Sequence, residues 1–104
     1  MIARLWSAGA SADKAPDYTR HLEERVLPAT RAEDGYAGAL LLERENDDGD
    51  IELLVVTLWE SLDAIRGFAG DDIERAVVAD EAAAVLTGFD DRVRHYRIAV
   101  RDGL

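Results

Sequence analysis

A chain of 104 residues without cysteine is expected to form one domain spanning residues 1–104, with no disulfide, thiolate metal site or cysteine nucleophile. Its 22 acidic residues against 12 basic ones leave a net charge of −10, which repels phosphate backbones and anionic lipid and argues against nucleic-acid and membrane partners. The absence of cysteine, of a cationic leader at Met1–Ser7 and of any apolar run near the roughly 18 residues of a membrane helix points to a cytoplasmic location.

Ile2 to Ser7 alternates weakly and carries Leu5 and Trp6, which predicts a first strand. Gly9 to Asp13 is small and polar and reads as a loop. From Ala15 to Ala32 the apolar positions Tyr18, Leu22, Val26 and Ala29 recur at helical spacing. Asp13 is the expected N-cap, and Pro16 suits the first turn, where its missing N–H is not needed. Pro28 is expected to bend or end this helix, because its ring meets the preceding turn. Glu33-Asp34-Gly35 is the exit loop.

Tyr36 to Glu45 and Ile51 to Glu60 flank Asn46-Asp47-Asp48-Gly49-Asp50, two apolar runs around an Asp-Gly turn and the clearest hairpin signal in the chain. Ser61 caps the next helix, with Asp63 in its first turn. Gly70 closes that helix, and Asp71-Asp72 is expected to open another that carries Ile73, Val77 and Ala84 inward. Arg92 to Arg101 is the predicted final strand. The order β-α-β-β-α-β on one four-stranded antiparallel sheet is a ferredoxin-like α+β arrangement, with strand order 4-1-3-2 and helices on one face.

A sheet with one wet face should alternate apolar and polar residues. Leu40-Leu41-Leu42 and Leu53 to Trp59 do not. Ile51, Leu53, Val55 and Trp59 take one face of the third strand, and Leu54, Val56 and Leu58 take the other. Helices cover one face only, so a second copy of the same sheet is expected on the other, giving a homodimeric α+β barrel.

Leu58-Trp59-Glu60-Ser61-Leu62-Asp63-Ala64-Ile65, Phe68-Ala69-Gly70-Asp71-Asp72 and Val93-Arg94-His95-Tyr96 resemble the antibiotic biosynthesis monooxygenase superfamily. The resemblance extends to Val26-Leu27-Pro28 and Tyr36-Ala37-Gly38. It implies a dimeric α+β barrel and an activity that oxidises electron-rich aromatics with dioxygen, without metal, flavin or other cofactor. One branch of the superfamily degrades haem, using an Asn on the first strand and a Trp and a His after the Trp-Glu-Ser element. Here those two helix positions fall at Phe68 and about Val78, and the first strand offers Trp6 and Ser7 but no Asn, so haem degradation by that arrangement is not expected.

His95 is the candidate catalytic base. An imidazole titrating near pH 6.5 can take a proton from a phenol or quinol and leave an oxidisable anion; the competing role is a structural histidine at the sheet or dimer interface. Tyr18, His21, Trp59 and Phe68 are candidate substrate-binding walls. Trp59 at the end of a buried strand and Phe68 on an apolar stripe are ordinarily core. Tyr18, His21 and Arg25 share one side of the first helix, a side that is ordinarily a solvated flank. No metal is expected: the two histidines are far apart, and Asn46-Asp48-Asp50 imitates a calcium loop with Ile51 where glycine is required.

Two functions follow from this reading. One is a cofactor-independent monooxygenase acting on a quinol- or anthrone-type aromatic in a pocket between sheet and helices. The other is a non-catalytic ligand-binding or stress-associated barrel. Both call for a pocket of several hundred cubic ångströms.

Overall fold

The computed structural model describes residues 1–104. Apolar alternation places β1 at Ile2–Ala10, paired antiparallel with β3 (Ile51–Trp59), which pairs in turn with β2 (Tyr36–Glu45). The hairpin between β2 and β3 is closed by Asn46: its Oδ1 accepts from the backbone N–H of Asp48 and of Asp50, both at 3.0 Å. Gly49 supplies the positive φ of 82° that the turn requires.

The first helical rod differs from expectation at both ends. The side chain of Asp13 engages Ser11 rather than the helix, and the N-cap, Lys14, makes no side-chain capping bond. Ser11 O instead accepts from Lys14 N and Ala15 N. Nor does Pro28 end the helix. α1 (Ala15–His21) passes through a π-helical turn, Leu22–Val26, into α2 (Leu27–Arg31). The wider turn is closed by Leu27 N–H donating to Leu22 O. It takes up the register change next to a residue that has no N–H to give, so the rod continues.

β3 leads into α3 (Leu62–Ala69) through Ser61, whose Oγ accepts from Ala64 N at 3.1 Å. Beyond Gly70 the expected helix at Asp71 is absent. Residues 71–79 form a non-helical strap with a turn at 73–74, closed by Arg75 N donating to Asp72 O at 3.1 Å, and helix resumes only at α4 (Asp80–Val85). The strap bonds laterally: Val93 N donates to Glu74 O at 2.7 Å and Ala76 N to Asp91 O at 2.8 Å. β-Branched Ile73, Val77 and Val78 favour that course over helix. Val77 and Ala84, expected to point inward, are exposed, and Ala82 carries the buried face of α4.

The last strand position is also divided. β4 (Gly88–Phe89) and β5 (Arg94–Arg97) both pair with β1, against Ala8–Gly9 and Ile2–Leu5 respectively. The sheet therefore has five strands where four were expected, and the predicted Arg92–Arg101 strand is confined to Arg94–Arg97. The spatial order β2-β3-β1 followed by β4 and β5 keeps the expected 4-1-3-2 topology, because the two short strands share one position. The α+β fold is ferredoxin-like.

The helices cover one face of this sheet. Leu53, Val55, Thr57 and Trp59 are buried there, and Ala10, Ala15, Tyr18, Leu22 and Ala82 complete the core with them. The opposite face carries Leu40, Leu42, Leu54, Val56 and Leu58 with no element over it; Leu40 is 48% and Leu42 46% exposed. No helix is long and apolar enough to cross a membrane.

Candidate functional site

Between the sheet and the helices lies a cavity lined mainly by apolar side chains. Trp6 comes from β1, Tyr18 and His21 from α1, Phe68 from α3, and Val77 and Val78 from the strap. Its one charged sheet residue is Arg4, which is 5% exposed and is the only buried charged residue of the chain. Strand alternation puts Arg4 on the same face as Trp6, one register step from the wall.

The guanidinium of Arg4 is held from three directions. Nη1 donates to Ile73 O and Nη2 to Arg75 O, at 2.8 Å for the latter, so β1 fastens the strap. Nη1 also lies 3.0 Å from Nε2 of His95, its register partner on β5. Arginine has no acceptor, so Nε2 accepts and the imidazole carries its proton on Nδ1. Burial, followed by the Arg4 charge, holds the His95 pKa below the ordinary 6.5, with Glu74 on the strap pulling the other way. Burial likewise lowers Arg4 to about 10 and pushes the Tyr18 phenol up to about 12. At neutral pH the site therefore presents a cation, a neutral imidazole and an un-ionised phenol.

This arrangement has a thermodynamic consequence. A histidine with a depressed folded pKa binds fewer protons folded than unfolded, so its contribution to stability is complete above about pH 6.5 and is lost as pH falls through the folded value. The melting temperature should accordingly decline between pH 7 and pH 5, and His95→Gln should flatten that slope. An unchanged slope in the variant would show that His95 is not the group responsible.

Of the residues expected at a site, the structure brings Tyr18, His21 and Phe68 to the cavity wall. Trp59 stands one layer behind, wholly buried, stacked on Phe68 at 5.8 Å and 29° and edge-on to Tyr36 at 5.5 Å. Its Nε1 donates to Thr57 Oγ1 at 2.8 Å. His95, half-buried, is not part of the lining and meets the cavity only through its contact with Arg4. Sequence reasoning missed Arg4, although its signal was present: an arginine alternating with Trp6 inside an otherwise apolar strand is a charge aimed at the core.

The cavity holds about 60 Å³, enough for a few waters and below the roughly 150 Å³ that accepts a benzene-sized guest. On the other side of Phe68, Val77 and Val78 lies an open groove of about 750 Å³, reached by Arg75, Phe89 and Arg92. The same three side chains line both spaces and form the partition between them. Val78 presents only methyl groups to the cavity and has no lone pair for a metal. No group of three or more His, Asp or Glu side chains is placed to hold a metal ion.

The fold is shared with solved structures along nearly its whole length. The haem degrader MhuD of Mycobacterium tuberculosis, solved with two haems in its active site, superposes with a TM-score of 0.69 at 21% identity over 99% of this chain and 100% of its own. A candidate antibiotic biosynthesis monooxygenase from Bacillus cereus gives 0.68 at 15% identity, covering 100% of this chain and 96% of that one. A second, from Deinococcus radiodurans, gives 0.57 at 20% identity, covering 100% and 98%. At these identities the likeness is one of fold. Among curated proteins no sequence relative is found. The family model for antibiotic biosynthesis monooxygenase matches residues 1–80, and the chain belongs to that family.

Proposed function

We propose that this protein is a cofactor-independent monooxygenase of a small phenolic or quinol-type aromatic, working as a cytoplasmic homodimer. The observation that carries the reading is a pairing beside the cavity: the imidazole of His95, outside the lining, lies 3.0 Å from the buried guanidinium of Arg4, which lines the cavity with Trp6, Tyr18 and Phe68. The uncovered apolar face of the sheet supports the dimer, and the lack of cysteine suits a reducing compartment.

In this scheme the aromatic enters by displacing the Val77–Val78 partition, which joins the cavity to the outer groove. Its hydroxyl oxygen takes over N–H groups of Arg4. Nη1 then leaves Nε2 of His95, and that lone pair accepts the phenolic proton. The imidazolium formed beside Arg4 is offset by the new anion between them. The electron-rich anion reduces dioxygen within a dry cavity. One oxygen atom enters the ring carbon as a carbonyl and the other leaves as water, so each turnover consumes one O₂ and one substrate. His95 and Arg4 handle the proton and the charge, and the substrate supplies the electrons.

Oxygen uptake by the purified protein tests this, across anthrones, naphthols and quinols with no added cofactor and with autoxidation as the baseline. The expected result is uptake well above baseline, reduced by about 10²-fold or more in His95→Ala while the fold is retained. Retained turnover in that variant would remove His95 from the mechanism. Baseline uptake throughout would favour the second reading, a non-catalytic ligand-binding barrel. The 60 Å³ cavity is short of what either reading needs, so both require the Val77–Val78 partition to move before a ligand is held.

A further inference from the structure

The chain's charge is distributed unevenly between surface and interior. Every ion pair is at the surface and involves Arg20, Arg44, Arg66 or Arg92. Arg4, the one buried charge, has no carboxylate partner in a protein with 22 acidic residues against 12 basic ones. Its bonds go to two backbone carbonyls and to a neutral imidazole, which orient the cation without neutralising it. A buried cation without a counter-ion is costly, and the cost is removed by whatever anion the site is built to take.

The guanidinium has five N–H groups. Two on Nη1 serve Ile73 O and His95 Nε2, and one on Nη2 serves Arg75 O. The Nε–H and the second Nη2–H have no acceptor in the protein. Tyr18, 4% exposed, lines the same cavity, and its hydroxyl likewise bonds to nothing in the chain. No unbonded polar side-chain atom is sealed away from water, so Nε of Arg4 and the Tyr18 hydroxyl, which have no partner in the chain, keep some access to solvent, and both residues line the cavity. Two spare N–H groups on one planar cation match the two oxygens of a carboxylate. The body attached to that carboxylate must be flat and apolar to lie among Trp6, Phe68 and Val78, and it fits only once the Val77–Val78 partition gives way into the outer groove.

We propose that Arg4, with the Tyr18 hydroxyl, forms an anion-binding subsite, so that the ligand of this cavity is a planar aromatic already charged at neutral pH, an arene carboxylate. The inference rests on the same cavity as the monooxygenase reading and adds a permanent negative charge to its ligand. It also gives Arg4 two tasks in one contact: the side chain that recognises the ligand is the one that fastens the strap through Ile73 and Arg75.

Calorimetric titration with 2-naphthoate and with 2-naphthamide, its uncharged analogue, provides the test. The carboxylate is expected to bind the wild-type protein on the order of 30-fold more tightly, the scale of a charge-assisted hydrogen bond. Arg4→Gln should abolish the difference, and Tyr18→Phe should reduce it. Equal affinities in the wild type, or no binding of naphthoate, would overturn the proposal whether or not the Arg4 variant folds. The two readings fail separately. Naphthoate binding without oxygen uptake on any phenol would keep the anion subsite and remove the monooxygenase. Uptake on neutral quinols that naphthoate does not inhibit would keep the monooxygenase and remove the subsite.

Discussion

Trp59→Ala should lower stability by about 3–5 kcal/mol, the cost of emptying a fully buried aromatic site. For a domain of this size that is a fall of at least roughly 12 °C in the melting temperature. Three contacts are lost together: the stack on Phe68, the edge contact with Tyr36 and the Nε1 bond to Thr57. Thr57 is itself buried, so its hydroxyl would be left without that donor, which adds about 1 kcal/mol where water cannot replace it. Total stability for small domains is about 5–15 kcal/mol, so the variant would sit near the limit of folding. Trp59→Phe narrows the comparison, because it keeps an aromatic ring in the site while losing the N–H and the volume of the second ring.

The same pair of variants decides what Trp59 is for. A residue one layer behind the wall acts on ligand binding only by supporting Phe68, so Trp59→Phe should leave ligand affinity within about threefold while reducing stability modestly. A substrate-stacking tryptophan would show the reverse, a large loss of affinity at nearly constant melting temperature. Thermal denaturation alongside naphthoate titration distinguishes the two.

Much of the fold was legible because local chemistry and tertiary packing agree. The Asn46–Asp50 turn, the Ser61 cap and the period-two pattern of β3 are each set by residues within a few positions of one another, and they stand where the pattern put them. The strap at 71–79 was not legible in this way. Its path is fixed by long-range partners, Arg4 on β1 and the 91–93 segment, that no local window contains. Asp71-Asp72 resembles a helix start, yet Asp72 is engaged by Arg92, twenty positions away. Pro28 is a similar case, since a π-turn is a rare alternative to a break and composition does not announce it.

The site was legible in its types and not in its depths. Spacing placed Tyr18 and His21 on one side of α1, and both do reach the cavity. The sequence offers His95 as a candidate base or as a structural histidine at the sheet or dimer interface, without naming a partner for it. Its surroundings follow from the β1–β5 register, which sets it opposite Arg4. Without that register nothing local identifies Arg4 as the group that occupies its Nε2. The volume of the cavity was not legible at all, because a few methyl groups on Val77 and Val78 decide whether the two spaces are one.

Val56→Glu is expected to separate the subunits of the proposed dimer without unfolding either. Val56 lies midway along β3 on the face away from the helices, flanked in register by Leu40 on β2 and Leu5 on β1, with Leu42 and Leu54 in the next row. In an isolated chain these side chains meet water, and a carboxylate among them would be solvated at little cost. In a two-fold interface each substitution appears twice, and the two carboxylates face an apolar partner surface with no cation supplied for either. The dissociation constant should rise by about 100-fold or more, the scale of leaving a buried charge unpaired. Sedimentation should show the wild type at twice the 11.4 kDa chain mass and the variant at 11.4 kDa, with the melting of the Trp59 core still cooperative. A wild-type protein that sediments as a monomer at micromolar concentration would remove the dimer. The long unbroken apolar runs of β2 and β3 would then have to be tolerated as exposed surface, which makes aggregation through that face the expected behaviour on concentration.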